Sequence, residues 1–117
     1  MDAELLNNEL VKGSLLNYVI RFEELDSTNK YAKENNLPSD GIVITSSQTE
    51  GKGRFGRKWA ASTDEDLTFS LVKKFKISVD NIHLVNFYTS YVLSLTLKDF
   101  LSSNKNLHIH LKWPNDV

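Results

Sequence analysis

Between Gln48 and Trp59 the chain reads Gln-Thr-Glu-Gly-Lys-Gly-Arg-Phe-Gly-Arg-Lys-Trp, with three glycines inside six residues and four cations inside seven. Glycine has no Cβ, so backbone built on it passes close to a ligand and takes positive φ freely. Successive amides in such a turn form a concave nest for an anion. Lys52, Arg54, Arg57 and Lys58 add positive charge where a phosphate or carboxylate would sit. Trp59 offers a flat face to a ring. The stretch reads as a flap that closes over an anionic, partly aromatic small molecule such as a nucleotide.

The segments around the flap read as alternating strands and helices. Residues 4–12 mix acidic and leucine positions and are expected to form a short helix. Tyr18-Val19-Ile20-Arg21-Phe22-Glu23 reads as a strand. Asp26-Ser27-Thr28-Asn29 opens a helix through about Asn35, with Ser27 as N-cap. Leu37-Pro38-Ser39-Asp40-Gly41 is a turn. Ile42-Val43-Ile44-Thr45-Ser46 is nearly all apolar and β-branched, the pattern of a strand buried on both faces. Leu67–Val72 alternates as a strand with one buried face. Ser78 or Asp80 is expected to cap a helix running to about Ser102. Its apolar stripe (Ile82, Val85, Tyr88, Val92, Leu95) is widened by Leu84, Phe87, Tyr91 and Leu97, so more than one neighbour should cover it. That second neighbour is either a further part of the domain or another subunit, which leaves a homo-oligomer open. Leu107–Lys112 alternates as a last strand, and Trp113-Pro114-Asn115-Asp116 turns sharply. The order β-α-β-loop-β-α-β implies a sheet with helices packed on it.

Size and charge narrow the function. A chain of 117 residues is one domain or a piece of one, and buries roughly two-thirds of its unfolded surface. With 40% hydrophobic and 25% charged residues it is too apolar for a disordered chain. Net charge is −1, so the positive charge of the flap is local, and a nucleic-acid binder would be basic over more of its surface. Without cysteine there is neither a disulfide nor a thiolate metal site, which suits a reducing, cytoplasmic compartment. The first residues lack the pattern of a secretory signal, and no apolar run is long enough for a transmembrane helix.

Each motif has a functional and a structural reading. Gly51-Lys52-Gly53-Arg54-Phe55-Gly56 matches G-x-G-x-x-G, but a dinucleotide site needs a helix next, and here Arg57-Lys58-Trp59 leads to a polar loop and a strand. A kinase glycine loop needs a valine at Lys58 and an Ala-Ile-Lys strand. A phosphate-binding P-loop needs Gly-Lys-Ser/Thr where Gly56-Arg57-Lys58 stands. The plain alternative is a flexible basic loop, and Trp59 beside the cations weighs against it. Ser27-Thr28-Asn29 is first a helix cap; it is also a place where hydroxyls and free amides meet a polar ligand group. His108 and His110 share a strand face with Lys112, yet no third ligand makes them a metal site, and a solvated pair is the simpler state. Asp64-Glu65-Asp66 reads as a solvated loop, and His83 carries no signal.

Taken in order, Ser-Thr-Asn, then Gln-x-x-Gly-x-Gly-Arg-x-Gly-Arg-x-Trp, then Lys-Trp-Pro-Asn-Asp resembles the biotin–protein ligases (biotin–[acetyl-CoA-carboxylase] ligases). The likeness runs from about Leu25 to Val117. It implies an α+β fold, a mixed β-sheet with flanking helices, similar to class II aminoacyl-tRNA synthetase catalytic domains. It implies that residues 1–117 are the N-terminal part of such a catalytic domain, with neither the DNA-binding helix-turn-helix of repressor-type members nor the C-terminal barrel. The implied reaction joins biotin and Mg-ATP into biotinyl-5′-AMP. The acyl group then passes to a lysine on a biotin carboxyl carrier domain of a biotin-dependent carboxylase. No nucleic acid or membrane partner is implied.

By the same resemblance Ser27, Thr28 and Gln48 would hydrogen-bond the biotin ureido ring, with Gly51 letting backbone approach. Lys52 and Arg54 would lie over the biotin carboxylate and the phosphates and, with Lys112, serve catalysis. Arg57 would hold the loop or the phosphates. Trp59 would pack on adenosine, Asn115 would read the adenine edge, and Asp116 would support the phosphate and metal side. Two positions depart from the pattern. Lys52 stands where arginine is usual, which removes bidentate geometry. Phe55 stands where arginine is frequent, which changes loop dynamics or loses a phosphate contact. The family's downstream lysine-glycine segment, whose lysine contacts the acyl phosphate, is not in this sequence. The rival reading is a truncated, non-catalytic biotin- or nucleotide-binding or assembly module. A nucleic-acid contact through the basic loop is a third, disfavoured by the near-neutral charge.

Overall fold

A computed structural model describes residues 4–5, 11–61 and 65–112. The elements are β1 (Glu4–Leu5), β2 (Tyr18–Leu25), α1 (Thr28–Glu34), β3 (Gly41–Lys52), β4 (Lys58–Ala61), β5 (Thr68–Val72) and α2 (Ile82–Phe100). Short 3-10 turns sit at Arg54–Gly56 and Val79–Asn81. The chain separates into two compact units, residues 1–74 and 75–117.

The first unit is a mixed five-stranded sheet centred on β3. β2 and β3 run parallel, with Tyr18 opposite Gly41 and Gln48 opposite Leu25, and α1 makes the crossover that parallel strands need. The other side of β3 is shared: β5 pairs with its first half and β4 with its second, both antiparallel. β1 adds an antiparallel edge against β2, with Glu4 opposite Arg21. A strand therefore occupies residues 4–5, where a helix was expected. Residues 11–13 form a turn.

Period-2 alternation explains the core. Ile20 and Phe22 of β2 and Val43 of β3 lie on the face toward α1, with Leu25 completing the cluster. Tyr31 of α1 meets Phe22 edge to face, ring centroids 4.8 Å apart. Ser27 caps α1 as expected, accepting from the Lys30 amide at 3.3 Å. On the opposite face Ile42 and Ile44 are only half-buried, and Phe69 and Leu71 are 44% and 55% exposed. Burial of β3 on both faces is thus not met among the described residues of this unit. β5 forms where a strand was expected, with Thr68, Ser70 and Val72 on its more buried face and Phe69 and Leu71 on the exposed one.

In the second unit Ser78 is the N-cap residue of the 3-10 turn Val79–Asn81 that runs into α2, and neither it nor Asn81 makes a side-chain cap bond. The Ser78 hydroxyl instead accepts from Asn81 Nδ2 at 3.1 Å. No residue of α2 is buried, although its stripe is apolar. Residues 107–111 form no strand, and Lys112 makes only an isolated bridge. Alternation at Leu107–Lys112 supplies a strand face, but no ladder is formed there. The expected turn at Trp113–Asp116 lies outside the described residues.

Candidate functional site

The glycine-rich stretch is a hairpin. β3 continues through Gln48 to Lys52 and returns in β4, so Gly51 and Lys52 are strand residues and not loop residues. Gly51 pairs with Trp59 and Lys52 with Lys58, and Gly53 donates to the Arg57 carbonyl at 2.6 Å. The tip takes left-handed backbone at Phe55 (φ 58°) and Gly56 (φ 72°). Phe55 is 87% exposed, with the Arg54 guanidinium 5.2 Å from its ring centroid.

One irregularity fixes how the hairpin leaves the sheet. Gln48 pairs with Ala61 and Gly51 with Trp59, so β3 carries an extra residue between them. A bulge of this kind takes an amide out of the ladder and bends the strand. Glu50 uses its amide to donate to the Asp26 carbonyl at 2.7 Å, just before α1. Lys30 adds an ion pair to Asp26 at 2.7 Å and approaches Glu50 at 3.8 Å. The Lys30 hydrogen bond, helped by the Ser27 amide, holds the Asp26 carboxyl below its usual range, and Asp26 raises Lys30 in return. The base of the hairpin is thereby tied to the start of α1.

Between these elements lies a cleft of about 600 Å³, a volume suited to a cofactor-sized ligand. Ser27, Thr28 and Gln48 provide its polar floor, and Trp59, Leu67 and Phe69 an apolar wall. Lys30, Lys33, Glu34, Glu50 and Lys52 set charges of both signs around it. Thr28 is only 3% exposed. Its amide donates to Gln48 Oε1 at 3.0 Å, and its hydroxyl lies 2.8 Å from the Ser70 hydroxyl. The α1 amides of Thr28 and Lys30 are thus already engaged by Gln48 and Ser27. Gly51 is buried, and a Cβ there would stand 2.5 Å from Gln48 Nε2 and against the Trp59 carbonyl. Only glycine leaves room there for both the Gln48 side chain and the Trp59 carbonyl.

The structure brings together Ser27, Thr28, Gln48, Gly51, Lys52 and Trp59 of the expected site. Arg54 and Arg57 stand on the exposed hairpin tip, outside the cleft lining. Lys112 belongs to the second unit. Asn115 and Asp116 lie outside the described residues. His108 and His110 rings are 6.4 Å apart, and among the described residues no group of three His, Cys, Asp or Glu side chains is placed to hold a metal ion. Sequence reasoning missed the Asp26–Lys30–Glu50 tie, for which the spacing of Asp26 and Lys30 was the available signal. It also missed Phe69, which lines the cleft, and Ser70, which meets Thr28, because alternation along β5 named no face for either.

The fold is an α+β domain in which a basic hairpin stands beside a pocket with polar and apolar lining. The model of the biotin/lipoate A/B protein ligase family matches residues 21–117, and the chain belongs to that family. It is 25% identical over 103 residues to the bifunctional ligase/repressor BirA of Bacillus subtilis (strain 168), covering 86% of this chain and 30% of the relative. The corresponding protein of Bacillus spizizenii is 24% identical over the same length. Among solved structures, the biotin protein ligase of Aquifex aeolicus in complex with biotin and ATP aligns with a TM-score of 0.61 and 31% identity, over 84% of this chain and 40% of that one. The chain therefore spans about a third of the length of the curated relatives it matches. The mixed-sheet α+β fold and the likeness to the N-terminal catalytic region of biotin protein ligase agree with the sequence reading.

Proposed function

We propose that the chain carries the biotin- and adenylate-binding part of a biotin–protein ligase, acting on a carboxyl carrier domain of a biotin-dependent carboxylase. The observation that carries this reading is the cleft that Ser27, Gln48 and Trp59 line together, beside the basic hairpin. In the first step a biotin carboxylate oxygen attacks the α-phosphorus of ATP, pyrophosphate leaves, and biotinyl-5′-AMP forms. In the second the carrier lysine amine attacks the acyl carbon and AMP leaves. Ser27 and Gln48 suit a ureido group, which offers both donors and an acceptor. Lys52 and Arg54 supply charge where negative charge develops during adenylation. Arg54 and Arg57 reach their roles by closure of the hairpin, which also keeps the acyl-adenylate from water. Magnesium would come bound to the ATP phosphates, and no cluster among the described residues is assigned to it. Lys112, Asn115 and Asp116 keep the roles that the family pattern gives them, and a cytoplasmic location fits the cysteine-free chain.

A specific observation favours a second reading. α2 has an apolar stripe with no buried residue, as a non-catalytic assembly module would. Arg54→Ala separates the two. In an enzyme it lowers biotinyl-AMP formation by about 100-fold or more, the scale of one lost charge-stabilising group. In an assembly module it leaves association unchanged.

A further inference from the structure

We infer that Ser70 is a positioning residue of the biotin pocket, acting on Gln48 through Thr28. The inference deepens the biotin reading and rests on it for the identity of the ligand. Its geometry does not. Ser70 lies on β5 directly opposite Val43, on the face toward α1. A serine in the middle of a strand, among Phe69, Leu71 and Val72, is a poor packing choice for a core face. What it meets there is the buried Thr28 hydroxyl, 2.8 Å away.

Thr28 holds one hydroxyl proton and has two oxygen neighbours, Ser70 Oγ and Gln48 Oε1, the latter at 3.5 Å. Gln48 Oε1 already accepts from the Thr28 amide at 3.0 Å, and an amide N–H only donates, so the amide orientation of Gln48 is fixed by chemistry. A hydroxyl that donated to Ser70 would turn its lone pairs toward Oε1 and set two acceptors face to face. When Ser70 donates, the Thr28 proton is released toward Oε1. The relay then runs Ser70 O–H to Thr28 O–H to Gln48 C=O, and both threonine donors hold one oxygen. Gln48 Nε2 is then the end of the amide left to donate, beside Gly51 in a residue that lines the cleft, to a ligand acceptor such as a ureido carbonyl. Thr28, which the family pattern would place on the ligand, acts in this arrangement through Gln48.

The test is a double-mutant cycle on the full chain with biotin as the probe. Ser70→Ala weakens biotin binding about fivefold in titration calorimetry, the worth of one hydrogen bond. Ser70→Thr, which restores the hydroxyl on a strand, stays within about twofold of the parent. In a Thr28→Val background Ser70→Ala has no further effect, because the relay is already cut. Additive losses, or failure of Ser70→Thr to rescue, overturn the inference. The side-chain amide resonances of Gln48 give a reading without ligand. Ser70→Ala moves them when Thr28 is present and leaves them still in Thr28→Val; equal shifts in both backgrounds overturn the relay even if biotin does not bind. Absence of biotin binding by the parent chain, with the resonance cycle intact, instead refutes the ligand assignment alone.

Discussion

At the scale of single residues, the site depends on two backbone positions that answer to different physics. Gly51 has ordinary backbone but no room. Gly51→Ala forces a Cβ against Gln48 Nε2 and the Trp59 carbonyl, and overpacking of this kind costs about 1–3 kcal/mol. A lowered thermal midpoint together with weakened biotin binding is the expected result. Phe55 has room but unfavourable backbone, since a bulky residue with left-handed φ stores about 1 kcal/mol or more. Phe55→Gly is therefore expected to raise the thermal midpoint, and an unchanged or lower midpoint contradicts the strain. The sequence motif marked both positions as part of one glycine loop. It could not tell crowding from torsion, because that difference arises only when Gln48 and Trp59 fold against the hairpin.

At the scale of elements, the base of the hairpin is tied to the start of α1 as well as to the sheet. The bulge sends the Glu50 amide to Asp26, and Lys30 adds its ion pairs. Because the Asp26 carboxyl is held low in the folded chain, its stabilising contribution is present above the ordinary carboxylate pKa and is lost as pH falls through the lower folded value. Acid titration followed by the fluorescence of Trp59, with Trp113→Phe to isolate it, should show the hairpin loosening in that range. Asp26→Asn should remove that step, and a step that survives in the variant contradicts the tie. Ser27→Ala should cost about 1 kcal/mol of stability through the lost cap. The β2–α1–β3 unit was readable because strong apolar patterning and a capping serine agree. β5 was readable as a strand, but period-2 alternation defines two faces without saying which one meets the core. Its polar face was taken inward by the Thr28–Ser70 contact. The expected last strand failed for a related reason: a pattern needs a partner before it becomes a ladder.

At the scale of the whole molecule, apolar surface is left on both units. Phe69 and Leu71 stand exposed on one sheet face, and the stripe of α2 is uncovered. Exposed apolar area of this kind draws partners. The chain is expected to bind a hydrophobic dye and to elute from gel filtration as more than a monomer, and a compact, dye-silent monomer contradicts that. The three motifs that announced the family fall in both units, and most of the third lies outside the described residues. Ser27, Gln48, Lys52 and Trp59 come together within the first unit. Lys112 belongs to the second.

The proposed chemistry is tested most directly by incubating this chain with biotin, ATP and magnesium and measuring biotinyl-5′-AMP by mass spectrometry. An adenylate that appears with the parent chain and vanishes in Arg54→Ala is the expected result. No adenylate from a folded chain that still binds biotin would contradict catalysis by these residues and leave a binding module.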